Sequence, residues 1–108
     1  MAVYIDDFNY LYGPMLMCHM MADTTDELLE MVDKIGVKRK WIQYPGTPKE
    51  HFDICLTKKK KAIALGAIEV TSRELAEMAR LRRQTGKLGS PPDRLTQPEQ
   101  PDLFTETL

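Results

Sequence analysis

The chain has 108 residues, 43% of them hydrophobic, and a formal net charge of −1. That length supports one domain with a modest core and room for one site. The apolar runs are too short for a transmembrane helix, and the near-neutral charge argues against tight autonomous DNA binding. The charge is nonetheless unevenly placed. Residues 1–35 carry seven acids against Lys34 alone, while residues 57–87 carry nine bases against Glu69, Glu74 and Glu77. Such a split leaves weak nucleic-acid contact open, although solvation of two helices explains most of it. The N-terminus lacks a basic region followed by a long apolar stretch, so no secretion signal and no membrane are expected. With only Cys18 and Cys55 as thiols, a reduced, cytoplasmic setting is expected, with both cysteines packed.

Residues 2–6 read as a short strand ended by the acidic pair Asp6-Asp7. Residues 8–14 are aromatic and turn-rich and close with Gly13-Pro14. Residues 15–21 form an apolar run interrupted by Cys18 and His19, which predicts a buried strand. Thr24 with Glu27 three positions on is a capping box, and Leu28, Val32 and Ile35 repeat at helical spacing up to a Gly36 stop. Residues 37–44 are expected as a strand with Val37, Trp41 and Ile42 buried. After a loop at residues 45–48 comes a short apolar stretch over residues 52–56. Thr57 is then the expected cap of a helix running through Lys58, Lys59, Lys60 and Lys61 to Gly66. Residues 67–70 suggest a strand, and Thr71 with Glu74 opens a last helix bearing Leu75, Met78, Ala79 and Leu81. Helices placed between strands predict an α/β domain over residues 1–84 with a small, mainly parallel sheet and about three helices, since parallel neighbours need a crossover.

In a parallel sheet, ligands bind beyond the carboxyl ends of the strands. Asp6 closes the first strand, and His19 and Asp23 lie at or beyond the second. His51 and Asp53 flank the third region. Lys58 stands at a helix start, where free amides favour an anion. Two histidines and several aspartates can hold a divalent metal. A phosphoester-cleaving enzyme then has Asp6, His19, Asp23 and Asp53 as candidate metal ligands, His51 as base and Lys58 against negative charge. Each residue also has a plainer role: strand end, helix cap, core histidine or histidine–carboxylate pair. No Cys-x-x-Cys, His-Glu-x-x-His, P-loop or Gly-x-Gly-x-x-Gly spacing is present.

Residues 85–108 hold four of the seven prolines and little that can pack, which predicts a flexible tail. Within it stands Gln100-Pro101-Asp102-Leu103-Phe104. Two adjacent large apolar side chains on such a tail suit a linear motif seeking a groove, with Pro101 reducing the entropy lost on docking. The string resembles the peptide by which bacterial replication and repair proteins bind the DNA polymerase sliding clamp. The resemblance implies that Leu103 and Phe104 fill a hydrophobic pocket and that Gln100 hydrogen-bonds beside it, with Asp102 at the acidic position. Proline in second place and four residues after Phe104 depart from the usual pattern.

A second resemblance covers residues 1–83. It rests on Met1-Ala-Val-Tyr-Ile-Asp-Asp7, on Met17-Cys-His-Met-Met-Ala-Asp23 and on residues 29–36. It continues through Trp41, His51-Phe-Asp53, Thr57-Lys58 and Gly66-Ala-Ile-Glu-Val-Thr71. Taken in order, these resemble a bacterial and phage family known only as domain of unknown function 4031. The resemblance implies the domain's limits and a bacterial or phage setting, and no chemistry. Two functions stay open: a binding module tethered to the clamp in DNA replication or repair, or a metal-dependent phosphoesterase or nuclease-like enzyme.

Overall fold

The computed structural model describes residues 2–88. The strands are β1 (Val3–Ile5), β2 (Tyr10–Tyr12), β3 (Met15–Ala22), β4 (Phe52–Cys55) and β5 (Ile68–Glu69). The helices are α1 (Thr25–Ile35), α2 (Leu56–Ala64) and α3 (Ser72–Thr85), with a 3₁₀ turn at Arg39–Trp41. No helix among the described residues is long and apolar enough to cross a membrane.

The fold is α/β, but the sheet is mixed and mostly antiparallel, not mainly parallel. β3 is its axis. Tyr10 and Cys55 both pair with Met17, and Ile5 and Phe52 both pair with Met20. Hence β1 and β2 share one edge of β3 and β4 takes the other, all antiparallel. Only β1 and β5, among the described strands, run parallel. The expectation failed for two physical reasons. Tyr10–Tyr12 is a strand, and the tight Gly13-Pro14 turn folds it back on β3, which forces an antiparallel pair. Between α1 and β4 the chain then makes an extra reversal, marked by the antiparallel bridge of Gln43 to His51. One helix returns a chain for parallel pairing, and a further reversal undoes that.

Two other elements differ from expectation. Residues 37–44 are not a strand but a 3₁₀ turn followed by the bridge, and Trp41 is exposed. The second helix starts at Leu56 with Cys55 at its cap position, so Thr57 lies inside it. The other helix ends follow their local chemistry. Thr24 Oγ1 accepts from Glu27 N at 3.1 Å, and Gly36 takes the left-handed φ of 84° that closes α1. Thr71 and Glu74 form a complete capping box on α3.

Strand alternation sorts the side chains. Val3, Ile5, Cys18, Met20, Ala22, Phe52 and Ile54 point to one face, where Leu28, Val32 and Ile35 of α1 and Ala62 of α2 cover them. Each large group fully buried there contributes roughly 1.5–3 kcal/mol. Cys18 is among them, and burial pushes its thiol up to about 11. Tyr4 and Met21 point the other way, onto Val70, Leu75, Met78 and Leu88, so α3 lies on the second face. His19 and Asp53 belong to that second face by the same alternation.

Candidate metal centre

His19 pairs with Asp53 across β3 and β4, and His51 precedes β4 by one residue. The i, i+2 spacing puts His51 and Asp53 on one side of an extended chain, beside His19. Asp6 arrives from the end of β1, whose Ile5 pairs with Met20.

Asp6 is buried and fully engaged. Its Oδ1 accepts from the backbone N–H groups of His19 at 2.9 Å and Phe8 at 3.3 Å, and its Oδ2 lies 2.8 Å from His19 Nδ1. A carboxylate only accepts, so His19 carries its proton on Nδ1 and its Nε2 is left to a ligand. The bond to Asp6 outweighs burial and holds the His19 pKa above its usual 6.5. His51 is fixed the same way by a different acceptor, the Lys49 carbonyl 2.6 Å from its Nδ1. The two free Nε2 atoms converge on Asp53 Oδ1, at 3.8 Å from His19 and 3.4 Å from His51. That oxygen is buried without a hydrogen-bond partner. The other carboxylate oxygen, Oδ2, accepts from Gln43 Nε2 at 2.5 Å. Burial first, and then the Asp53 carboxylate, raise the Tyr10 phenol to about 12, so it stays protonated beside the cluster.

The three ligand atoms lie within 4.8 Å of one another. Leaving a buried carboxylate oxygen unpaired costs on the order of 1–3 kcal/mol, a cost that a cation shared by the three groups would remove. Nδ1 held by a carboxylate or carbonyl, with Nε2 free, is the usual outer arrangement of metal-binding imidazoles. Aromatic rings hold the histidines in place. Phe8 and Tyr10 stack on His19 at 5.8 and 5.7 Å, and Tyr44 stacks on His51 at 6.0 Å. The cluster opens into a cleft of about 410 Å³ between the sheet and α3, with Lys49 and Ser72 on its wall beside Leu75 and Ala79.

The sequence profile described as protein of unknown function (DUF4031) matches residues 3–83. The chain belongs to this family. The match takes in Asp6, His19, His51 and Asp53, and the family's description names no activity. No curated protein and no solved structure matches the chain.

Within the DUF4031 domain, the structure thus brings together Asp6, His19, His51 and Asp53, with Asp6 orienting His19. The other two candidates lie elsewhere. Asp23 accepts from Ala2 N at 2.8 Å and lines a separate cavity with Arg82 and Glu50. Lys58 lies at the far end of α1, where a Cβ added to Gly36 would meet its Nζ at 3.1 Å. There its ammonium suits the negative end of the helix dipole. Its neighbour Lys59 reaches the end of β1 instead, with Nζ 3.1 Å from the Asp6 carbonyl and 2.7 Å from Glu69. Tyr10, Gln43 and Lys49 escaped the sequence reading. A strand over residues 10–12 was the missing signal, since it sets Tyr10 opposite Met17, two residues from His19. The clamp-like residues Gln100, Asp102, Leu103 and Phe104 lie outside the described residues.

Proposed function

We propose that this DUF4031 domain holds a divalent cation between His19 Nε2, His51 Nε2 and Asp53 Oδ1 and hydrolyses a phosphoester of a nucleotide or nucleic acid. The observation that carries the reading is the buried, unpartnered Asp53 Oδ1 facing two imidazole nitrogens whose other nitrogens are already committed. Two nitrogens and one carboxylate suit manganese, iron or zinc better than calcium. A bound cation supplies a Lewis acid for a phosphoryl oxygen. Asp6 keeps the His19 tautomer, and Lys49 offers the cleft an ammonium for the substrate's negative charge. Hydrolysis needs no oxidant: water oxygen joins phosphorus, the ester P–O bond breaks, and the leaving oxygen takes a proton.

Calorimetric titration of the full chain with manganese or zinc should reveal one site. His51→Ala should weaken it at least about a hundredfold without loss of fold, and bis(4-nitrophenyl) phosphate should be cleaved only with the cation. Absence of metal binding by wild type would sink the reading.

The sequence at residues 100–104 supports a compatible second reading, in which the tail carries the domain to the DNA polymerase sliding clamp. Leu103 and Phe104 are the chief apolar groups of that segment, and burying each contributes roughly 1.5–3 kcal/mol. A peptide of residues 96–108 should therefore lose clamp affinity about a hundredfold or more when both become alanine. Lack of binding by the unaltered peptide at high micromolar concentration would end this reading.

A further inference from the structure

The face that carries the cluster is only partly covered. α3 lies over Tyr4 and Met21. On the other side of Asp53, Tyr10, Tyr12, Met15 and Met17 floor a second cleft of about 360 Å³, walled by Trp41. That volume is within the roughly 300–1,000 Å³ of small-ligand sites. Tyr12 is 66% and Trp41 60% exposed, an unusual placement for two large aromatic groups lining one concavity.

Cations accompany these rings. Lys40 Nζ sits 5.0 Å over the Trp41 ring, directly after Lys38 and Arg39 in the chain. Beyond the histidines, Lys49 Nζ sits 6.0 Å over Tyr44. Asp53 borders the aromatic cleft while His19 and His51 open on the α3 side, so the cluster lies between the two cavities. Flat aromatic surface with ammonium groups at its rim is how proteins take unpaired bases: the ring stacks and the charge follows the backbone. A base inside a duplex has both faces covered and cannot use such a platform.

We propose that the Tyr12–Trp41 cleft binds an unpaired base of a single-stranded nucleic acid, setting the adjoining phosphodiester at His19, His51 and Asp53. The inference rests on the metal-centre reading for the fate of that phosphodiester, and on the aromatic cleft alone for the binding of the base. The Lys40 ammonium over the Trp41 ring selects a polyanion over an apolar peptide, and Asp53, the one charged side chain lining the cleft, belongs to the metal cluster.

Trp41 is the one tryptophan of the chain, so its fluorescence reports on this cleft. The full-length protein is titrated in EDTA with a short oligothymidylate, and separately with the same strand in duplex with oligodeoxyadenylate. The single strand should quench Trp41 and the duplex should not. Tyr12→Ala should weaken the single-strand affinity about tenfold, and Trp41→Ala should do the same to the anisotropy of a labelled strand. Both side chains are exposed, so the Tm should not move. No quenching, equal quenching by the duplex, or unchanged affinity in both variants overturns the proposal. A parallel manganese titration separates the two readings. Manganese binding without a strand response removes the base site and leaves the metal centre. A strand response without manganese binding removes the metal centre and leaves the base site.

Discussion

Phe52 and Asp53 are consecutive on β4 and face opposite ways. Phe52 is fully buried beneath α1 and α2, among apolar groups that also seal Ile5, Met20 and Ile54. Asp53 stands on the other face among His19, His51, Tyr10 and Gln43, with one buried oxygen unpaired. The first face is continuous hydrocarbon. The second is covered by α3 at the β1 end, polar in the middle and open over β2. Packing therefore concentrates stability on one side of the sheet and tolerates a costly polar arrangement on the other. Such tolerance is expected where a site has been kept against the interest of stability.

The largest expected effect tests that division directly. Phe52→Ala should lose about 3–5 kcal/mol in chemical denaturation, since truncation leaves a cavity in a dry, well-filled layer. Asp53→Asn, one residue on, should cost nothing in the metal-free protein and gain up to about 1 kcal/mol. The asparagine carbonyl keeps the bond from Gln43, while its amide replaces the unpaired oxygen and faces the His51 Nε2 lone pair. The same substitution should abolish any rise in Tm on adding manganese. If Asp53→Asn proves as damaging as Phe52→Ala, Asp53 is a structural residue and the contrast between the faces collapses.

Much of this was legible in the sequence where the signal is local. Thr24, Gly36, Thr71 and Glu74 act within one helical turn, and they locate the ends of α1 and the start of α3. The His51–Asp53 spacing likewise fixes a shared side of an extended chain. Sheet direction was not legible, because it depends on a three-residue strand at Tyr10–Tyr12 and on the extra reversal at Gln43, both set by tertiary pairing. Trp41 misled for a related reason: a large aromatic in an apolar-looking run reads as core, whereas it forms the wall of an open cleft. An error of two residues in the start of α2 shifted attention to Lys58. Successive helical residues diverge by about 100° around the axis, so Lys58 and Lys59 serve different surroundings. Convergence of Asp6 with His19 and His51 needed two separate strand registers, β1 on β3 and β3 on β4, which no spacing in the sequence encodes.

The smallest effect lies on neither face, at the exit of α1. Arg39 donates to both oxygens of Asp33, Nε to Oδ1 at 3.0 Å and Nη2 to Oδ2 at 2.6 Å. The guanidinium holds the Asp33 carboxyl below its ordinary value of 3.8. A carboxyl with a depressed folded pKa contributes stability above its unfolded value, and loses it as pH falls through the folded one. Asp33→Asn should therefore differ slightly from wild type in Tm at neutral pH. The difference should shrink once pH falls below about 3.8, the wild type losing its advantage as Asp33 protonates. Both partners are exposed, so the pair is screened by solvent, and added salt should shrink the neutral-pH difference further. A difference that persists unchanged at acidic pH would show that Asp33 acts through α1 itself and not through Arg39. A neutral-pH effect approaching that of Phe52→Ala would mean that the turn leading to Trp41 holds the fold together, against the division of labour between the two faces.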